Sequence, residues 1–389
     1  MSATCPACGA GGQEPFHEQH GVPTNSCLLL PSRDEALAYP RGDLELTFCP
    51  SCGFVSNRAF DPSLAEYSGR YEETQAFSPR FVEFSRSLAK RWVEEFGLHD
   101  RSVLEIGCGK GEFLVHMAEA GLGRGTGIDP GTDPDRIDPR YAGRLSWIVD
   151  FYSQRYSHLS ADALVCRHTL EHIAPVGEFV AMLRRTIGDR SDTVVLFELP
   201  DVARVLDEVA FWDVYYEHCS YFTAASLASL FARSGFEVLD VSSAYDDQYL
   251  LLEARPAPGP TTSPIPFDAA AMRAAVERFA TGYAAQVASW ASTTAEVRAA
   301  GGRVVIWGAG SKGVAFLNAP GIGPNVDAAV DINPYKSGMS MAGTGHPIVG
   351  PGTLRDDPPE LVVVMNPAYV EEITGQLAGL GLAPRVAAV

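Results

Sequence analysis

One short stretch, Val103–Leu114, constrains the fold more than any other part of this 389-residue chain. Apolar residues lead into Glu105, glycines follow at Gly107, Gly109 and Gly111, and an apolar-periodic segment comes next. This order predicts a strand, a tight turn and a helix, because glycine adopts positive φ and lets the backbone approach a ligand closely. The free N–H groups at the start of such a helix suit a polar or anionic ligand.

A second acid indicates the kind of ligand. Asp129 ends the next predicted strand, where a carboxylate can hold ribose hydroxyls. A dinucleotide site usually reads G-x-G-x-x-G, whereas here Glu105 precedes three alternating glycines. The stretch therefore resembles motif I of the class I S-adenosylmethionine-dependent methyltransferases, with a purely structural strand–helix turn as the alternative.

The surrounding residues, 101–255, alternate between strand and helix patterns, which predicts a doubly wound α/β sheet. The strand candidates are 103–106, 125–129, 146–149, 162–166, 193–198, 236–242 and 248–254. The last two predict an antiparallel hairpin that closes the sheet. Ligands bind at the carboxyl ends of the strands in such sheets.

Polar and aromatic residues follow these strands. Asp150 and Phe151 come after the third strand, where an acid and an aromatic ring can bind adenine. His168 and His172 come after the fourth strand. The segment 211–222 then packs six aromatic residues, two acids and one histidine into twelve positions.

The histidine of that segment is a candidate base. His218 follows Glu217, and a neighbouring carboxylate can fix the tautomer of an imidazole and raise its basicity. The alternative is a core histidine that is hydrogen-bonded to the backbone.

The N-terminal region carries two C-x-x-C-G knuckles. They supply four thiolates, Cys5, Cys8, Cys49 and Cys52, which is the ligand set of a closed tetrahedral zinc site. Such a zinc is structural, because no coordination position is open to water. A redox dithiol is the alternative, but it would need one knuckle to open a helix in a βαβ setting.

The composition excludes several classes of function. The formal net charge of −18 repels nucleic acid. No apolar run approaches the ~20 residues of a membrane helix, and the N-terminus lacks a signal-peptide pattern, so a cytoplasmic protein is expected. The sequence leaves open whether the protein is a monomer or a homodimer.

Three domains are expected. They are a zinc-binding module (1–65), a methyltransferase domain (66–256), and a C-terminal helix with a Rossmann-like acceptor domain (257–389). A Pro-rich linker at 254–266 marks the second boundary, and a long helix over 268–300 follows. The polar, aromatic segment 67–78 precedes the sheet and is interpreted either as a lid or as a surface connection.

The C-terminal domain contains its own glycine turn. Gly308-Ala-Gly-Ser-Lys-Gly follows a predicted strand, and Asp331 comes at the distance of a ribose-binding acid. By the motif alone this is a dinucleotide site. Because the unit is about half a full Rossmann domain, a nucleotide phosphate on the helix N-terminus is the more economical interpretation.

Taken together, these motifs resemble one family of three-part methyltransferases, with a four-cysteine zinc module, a class I domain and a C-terminal Rossmann-like domain. Its best-known members are C-methyltransferases of antibiotic pathways, which act on C3 of nucleotide-linked 4-keto-deoxysugars. The markers are the cysteine knuckles, Tyr71, Gln75, Glu105–Gly111, Glu171-His172, Tyr215-x-Glu217-His218, Gly308–Gly313, Asp331–Lys336, Gly343–His346 and Asn366-Pro-x-Tyr369.

The resemblance implies roles for individual residues. His218, oriented by Glu217, would remove the proton α to the ketone, and Tyr71, Tyr215 and His172 would surround the sugar. Gln75 would join His168 and the motif I residues around the methyl donor. The implied acceptor contacts are Tyr216, Tyr221, Lys312, Asp331, Asn333, Lys336, His346, Asn366 and Tyr369.

One departure concerns the acceptor. The family usually reads Tyr-His-Glu-His where this chain has Tyr215-Tyr-Glu-His218. The expected function is S-adenosylmethionine-dependent C-methylation of a nucleotide-linked keto sugar. The alternatives are O-, N- or C-methylation of another natural-product acceptor, and a nucleotide-sugar binder without catalysis.

Overall fold

The structure is a computed structural model that describes residues 4–389. Its N-terminal elements are β1 (Glu14–Pro23), α1 (Arg33–Leu37), β2 (Arg41–Phe48) and β3 (Val55–Asn57). The central elements are α2 (Pro79–Glu95), β4 (Ser102–Ile106), α3 (Glu112–Glu119), β5 (Arg124–Ile128), β6 (Leu145–Ile148), β7 (Ala163–Arg167), α4 (Val176–Ile187), β8 (Val194–Pro200), α5 (Val202–Asp207), β9 (Ser220–Tyr221), α6 (Ala224–Arg233), β10 (Phe236–Ala244) and β11 (Tyr249–Pro256). The C-terminal elements are α7 (Ala269–Ala299), β12 (Val304–Trp307), α8 (Ser311–Asn318), β13 (Ala328–Val330), β14 (Ile348–Val349), β15 (Leu361–Val364), α9 (Val370–Gly379) and β16 (Arg385–Ala388).

The central sheet confirms the predicted α/β fold class. Its seven strands have the order β10-β11-β8-β7-β4-β5-β6, and all run parallel except β11, which is antiparallel to both of its neighbours. The strands β4, β7 and β8 are almost wholly buried, as in a sheet that helices cover on both faces. Because the parallel strands end at the same edge of the sheet, the polar residues predicted above lie together at that edge.

Local sequence signals explain how α2 begins. Ser78 accepts a hydrogen bond from the N–H of Phe81, and Pro79 occupies the first turn, where its missing N–H costs nothing. The buried face includes Leu88 and Trp92, at helical spacing from Phe81. This face packs against the central sheet beside α3.

The N-terminal sheet is completed by a later part of the chain. Its order is β1-β2-β3-β9, and β9 comes from the aromatic segment 211–222. The N-terminal module and the central domain therefore share a sheet. This arrangement brings the loop after β1 close to Glu217.

The C-terminal unit is a five-stranded parallel sheet in the order β14-β13-β12-β15-β16. The long helix α7 begins at Asp268, whose side chain accepts from the N–H groups of Ala270 and Ala271. This helix crosses back to α5 and β1, where Phe279 is buried beside Phe16. No helix among residues 4–389 combines the length and apolarity that a membrane crossing requires.

A buried pair of amides joins the C-terminal unit to the central domain. Gln248 and Asn366 exchange two hydrogen bonds of 3.0 and 2.8 Å, and both residues are buried. Each amide thus satisfies groups that burial would otherwise leave unpaired.

We expect Asn366→Ala to lower the free energy of unfolding by about 1–3 kcal/mol, because it leaves the buried amide of Gln248 without its hydrogen-bond partner. The double variant Gln248→Ala/Asn366→Ala should cost less than the sum of the single changes. Denaturant titration measures all three values, with Asn325→Ala, whose amide bonds only to an exposed loop carbonyl, as the control. Additive losses would contradict the coupling.

Candidate active site

A cavity of about 620 Å³ lies at the carboxyl ends of the strands, and its walls come from both α/β units. Seventeen of the predicted site residues line it. They are Tyr71, Gln75, Glu105, Gly107, Gly109, Asp129, Phe151, His168, His172, Tyr215, His218, Lys312, Asp331, Asn333, Lys336, Asn366 and Tyr369.

The first glycine turn lies on the side of the central seven-stranded sheet. Gly107, Gly109 and Gly111 all have positive φ, between 52° and 83°. A Cβ atom on Gly107 would lie 1.8 Å from the hydroxyl oxygen of Thr169, so only glycine fits there. Gly111 itself lies outside the cavity wall, at the start of α3, which has no side-chain cap.

Asp129 fixes the shape of this turn. Its Oδ2 accepts the N–H of Gly109 at 3.2 Å, and its Oδ1 accepts the N–H of Gly131 at 2.6 Å. A carboxylate offers about four acceptor positions, so these bonds leave capacity for a ribose hydroxyl.

The second glycine turn has the same local arrangement. Asp331 accepts the N–H of Ala309 on Oδ2 and the N–H of Asn333 on Oδ1, both at 2.9 Å. Lys336 lies 3.3 Å from the same carboxylate. The helix α8 that follows also lacks a side-chain cap, so its first N–H groups face outward from the turn.

His168 is a cationic group at the end of β7. Its Nε2 lies 2.8 Å from Glu198, which also binds Arg167 at 2.6 Å. Although burial lowers it, Glu198 and Glu171 raise the pKa of His168 to about 9. The imidazole is therefore protonated at neutral pH.

His218, unlike His168, is neutral. Burial, together with the cationic forms of His172, His168 and Lys312, lowers the pKa of His218 well below its usual range. The ring lies 4.2 Å from that of Tyr215 and 4.8 Å from that of His172. A neutral imidazole on a cavity wall can accept a proton from a ligand.

His172 is held by two partners. Its Nδ1 lies 2.9 Å from the hydroxyl of Tyr67 and 3.0 Å from the backbone carbonyl of Glu217. A carboxylate oxygen of Glu171 and one ring nitrogen each of His172 and His218 lie within 4.8 Å of one another. The three titratable side chains thus form one compact group.

Glu217 does not orient His218, which corrects the role expected for its carboxylate. Its Oε1 accepts from the hydroxyl of Tyr71 at 3.4 Å and from the N–H of Ser26 at 3.3 Å, and the Ser26 hydroxyl also bonds to it. Within residues 4–389, no hydrogen bond joins this carboxylate to His218. Burial raises the pKa of Glu217 to about 7. The residue therefore supports Tyr71 from behind the cavity wall.

Two predicted acceptor contacts in the same segment lie outside the cavity wall. Tyr216 is 1% exposed, and its hydroxyl accepts the N–H of Asp61 at 2.8 Å. Tyr221 donates to the carbonyl of Tyr215 behind His218. The departure from the family pattern at position 216 therefore does not face the cavity.

Two further predictions also fall outside the wall. His346 lies within 3.0 Å of the carbonyls of Gly323 and Val326, so its ring closes a loop of the C-terminal unit. Asp150 accepts from Tyr156 at 2.5 Å, whereas its neighbour Phe151 lines the cavity and is 58% exposed.

Several expected acceptor contacts also join the two units. Lys312 pairs with Asp213 at 2.7 Å. Asn333 donates to Glu72 at 2.9 Å, and Tyr369 donates to Gln75 at 2.8 Å. The C-terminal unit therefore holds segment 67–78 in place while it lines the cavity.

Sequence reasoning missed other residues that line or support the site. They are Ser26, Glu73, Gln248, Tyr249 and Ser311. Ser311 occupies a variable position of the second glycine turn, and Glu73 lies within segment 67–78, but the other three belong to no motif with a known spacing.

The four knuckle cysteines meet as predicted. The sulfur of Cys5 lies 3.8 Å from that of Cys52, and the sulfur of Cys8 lies 3.7 Å from that of Cys49. A tetrahedral zinc with Zn–S bonds of about 2.3 Å places its sulfurs about 3.8 Å apart. The cluster therefore fits a zinc ion.

The chain matches two family models. The model "Methyltransferase domain" matches residues 80–241, and "C-methyltransferase C-terminal domain" matches residues 270–382. A curated relative, C-methyltransferase NovU of Streptomyces niveus, is 27% identical over 364 residues, which cover 89% of this chain and 85% of that protein. The chain belongs to the class I S-adenosylmethionine-dependent methyltransferases.

Solved methyltransferases also resemble part of the chain. A Burkholderia thailandensis 1,6-didemethyltoxoflavin-N1-methyltransferase is 19% identical, with a TM-score of 0.36 over 44% of this chain and 78% of its own. A magnesium protoporphyrin IX methyltransferase from Synechocystis PCC 6803 is 15% identical, with a TM-score of 0.36 over 46% of this chain and 84% of its own.

A methyltransferase of this family uses S-adenosylmethionine, and we expect the first glycine turn to bind it. We expect Gly107→Ala to weaken binding of S-adenosylhomocysteine at least tenfold, because the new Cβ would overlap Thr169 at a position with positive φ. Isothermal titration calorimetry measures this affinity. Gly143→Ala is the control, since nothing lies within 4 Å of its added Cβ. Unchanged affinity in Gly107→Ala would contradict the role of the turn.

Proposed function

We propose that this methyltransferase alkylates the carbon α to the ketone of a nucleotide-linked deoxysugar, with His218 as the base. The proposal depends mainly on one observation: a single cavity includes both glycine turns and a neutral histidine. One turn serves the methyl donor, and the other suits the phosphates of the acceptor.

The acceptor chemistry needs a base and a group that stabilises negative charge on oxygen. A ketone acidifies the neighbouring C–H bond, and His218 takes that proton in its neutral form. Tyr71 and Tyr215 line the same cavity. The hydroxyl of Tyr215 can donate to the enolate oxygen, whereas that of Tyr71 would first have to leave the carboxylate of Glu217. Bound S-adenosylmethionine supplies an electrophilic methyl group. Positioning therefore accounts for much of the expected rate.

The phosphate site is expected at the start of α8. Its uncapped N–H groups follow Gly308 and Gly310, and Lys312 and Lys336 supply positive charge nearby. Both lysines are paired with carboxylates, which keeps them in place before a ligand arrives. Such a local cluster can bind a diphosphate although the chain is acidic overall.

Two comparisons support carbon as the methylated atom. The C-terminal unit matches a C-methyltransferase domain, and the relative from Streptomyces niveus is named a C-methyltransferase. Another natural-product acceptor is the second candidate, because the second turn would also accept other anionic groups.

The role of His218 can be tested without methyl transfer. With a nucleotide-linked 4-keto-6-deoxysugar and S-adenosylhomocysteine, the native enzyme should exchange the α-proton for solvent deuterium. His218→Ala should lose this exchange and methyl transfer by about 100-fold or more, the usual contribution of a general base. Mass spectrometry measures both, and calorimetry with S-adenosylhomocysteine checks that the donor site is intact.

The matched control is Tyr216→Phe, which alters the same segment outside the cavity and should retain exchange. Exchange at the native rate in His218→Ala would refute the proposed base. Methyl transfer by the native enzyme to a different acceptor, without keto-sugar exchange, would favour the second candidate. A protein that binds the nucleotide sugar and transfers no methyl group would be a binder only.

The pH profile separates two candidate bases. A base works when it is unprotonated, and the lowered pKa of His218 keeps its ring neutral as the pH falls to 6.5. We therefore expect kcat/KM to stay flat from pH 8 to pH 6.5 and to fall only at lower pH. An acid limb near pH 7 would instead point to Glu217, whose pKa is about 7.

We also propose that the four knuckle cysteines bind one structural zinc ion. Elemental analysis of the purified protein should find about one zinc per chain, the content of one four-cysteine site. Cys52→Ser should lose the metal and lower the melting temperature, whereas Cys27→Ser, outside the cluster, should retain it. Full zinc content in Cys52→Ser would contradict the assignment.

A further inference from the structure

Glu73 is a carboxylate of the donor site that no motif marks. It lies in segment 67–78 and lines the cavity beside the first glycine turn. Its Oε1 would lie 2.5 Å from a Cβ atom placed on Gly109, so the carboxylate touches the middle of the turn. Its position is therefore fixed by contact with the motif that binds the methyl donor.

One oxygen of this carboxylate lacks a partner. Its Oε2 is buried and has no hydrogen-bond partner among the described residues. The nearest lysine, Lys110, donates instead to the carbonyl of Gly131 at 2.7 Å. Glu112, the neighbouring acid, is already bonded to Thr74 at 2.8 Å. A buried carboxylate in this state is costly unless a ligand supplies a cation or a donor.

The electric field around Glu73 favours a cationic ligand group. Burial raises the pKa of Glu73 to about 8, and Asp129 and Glu112 add to the effect while Lys110 opposes it. A hydroxyl group would satisfy the hydrogen bond but would not stabilise the charged form of Glu73, which the raised pKa disfavours at neutral pH. An ammonium group satisfies both needs, because it donates up to three hydrogen bonds and carries a positive charge.

We infer that Glu73 accepts the α-ammonium group of the methyl donor's amino-acid tail. The donor has two cationic groups, the ammonium and the sulfonium, and only the ammonium has N–H bonds to donate. Glu73 is thus a specificity residue for the aminoacyl part of the donor, and it reaches this part from segment 67–78 rather than from the sheet. The inference concerns the donor alone and does not depend on the identity of the acceptor.

Ligand pairs that differ in one group test this assignment. S-adenosylhomocysteine keeps the ammonium and lacks the sulfonium charge, whereas 5′-methylthioadenosine keeps the ribose and adenine but lacks the amino-acid tail. Glu73→Gln should weaken binding of S-adenosylhomocysteine about 10- to 100-fold, as for a lost charge-assisted hydrogen bond. Its affinity for 5′-methylthioadenosine should stay within about twofold of native. Calorimetry on the full chain measures both values without turnover.

Each other outcome overturns the inference. Equal losses for both ligands would place Glu73 against the ribose, and no loss for either would leave it without a ligand. A loss for S-adenosylmethionine but not for S-adenosylhomocysteine would place it against the sulfonium.

Glu112→Gln is the matched control, because it removes a neighbouring acid whose carboxylate already has a partner. It should shift the two affinities equally, and a selective loss there would mean that long-range charge, not contact, decides the result. Retained binding of 5′-methylthioadenosine shows that each variant is folded.

Discussion

Each glycine turn of this protein depends on a carboxylate at the end of the following strand. Asp129 and Asp331 each accept two backbone N–H groups, one from the turn and one from the loop beyond their own strand. Buried N–H groups need such acceptors, and here the acceptor comes from the neighbouring strand. The helices that follow the turns have no side-chain cap. Their first N–H groups therefore remain available to ligands. The two glycine turns thus have the same physical basis, repeated in two sheets.

The buried acids of the site are of two kinds, those with a bonded cationic partner and those without one. Although burial opposes it, Arg167 and His168 lower the pKa of Glu198 to about 2, so this carboxylate stays charged and rigid. Glu73 and Glu105 lack such partners, and burial raises the pKa of both to about 8. The paired acid maintains the wall of the cavity. The unpaired acids lie beside the first glycine turn, where a bound ligand can supply what the protein does not.

Local patterns explain which parts of the structure could be predicted. The strands, the closing hairpin, the start of α2 at Ser78 and the cysteine cluster follow from periodicity, capping and spacing, which act within a few residues. The partner of Glu217 could not be predicted, since Ser26 is 191 positions away and meets it only because β9 completes the N-terminal sheet. The direction of Tyr216 was equally hidden, because the segment around it is irregular and has no period that assigns side chains to a face.

Segment 67–78 explains why the C-terminal unit belongs to the active site and is more than an added binding domain. Glu72, Gln75 and Ser78 are bonded to this unit through Asn333, Tyr369 and Glu372. The same segment places Tyr71 against Glu217 and Glu73 against the first turn. Each hydrogen bond contributes only about 1 kcal/mol, but all of them fix one stretch of backbone. A displacement of the C-terminal unit would therefore either break these bonds or carry the segment with it. In both cases the cavity wall beside the first glycine turn would change, so the two halves of the cavity are mechanically coupled before any ligand is bound.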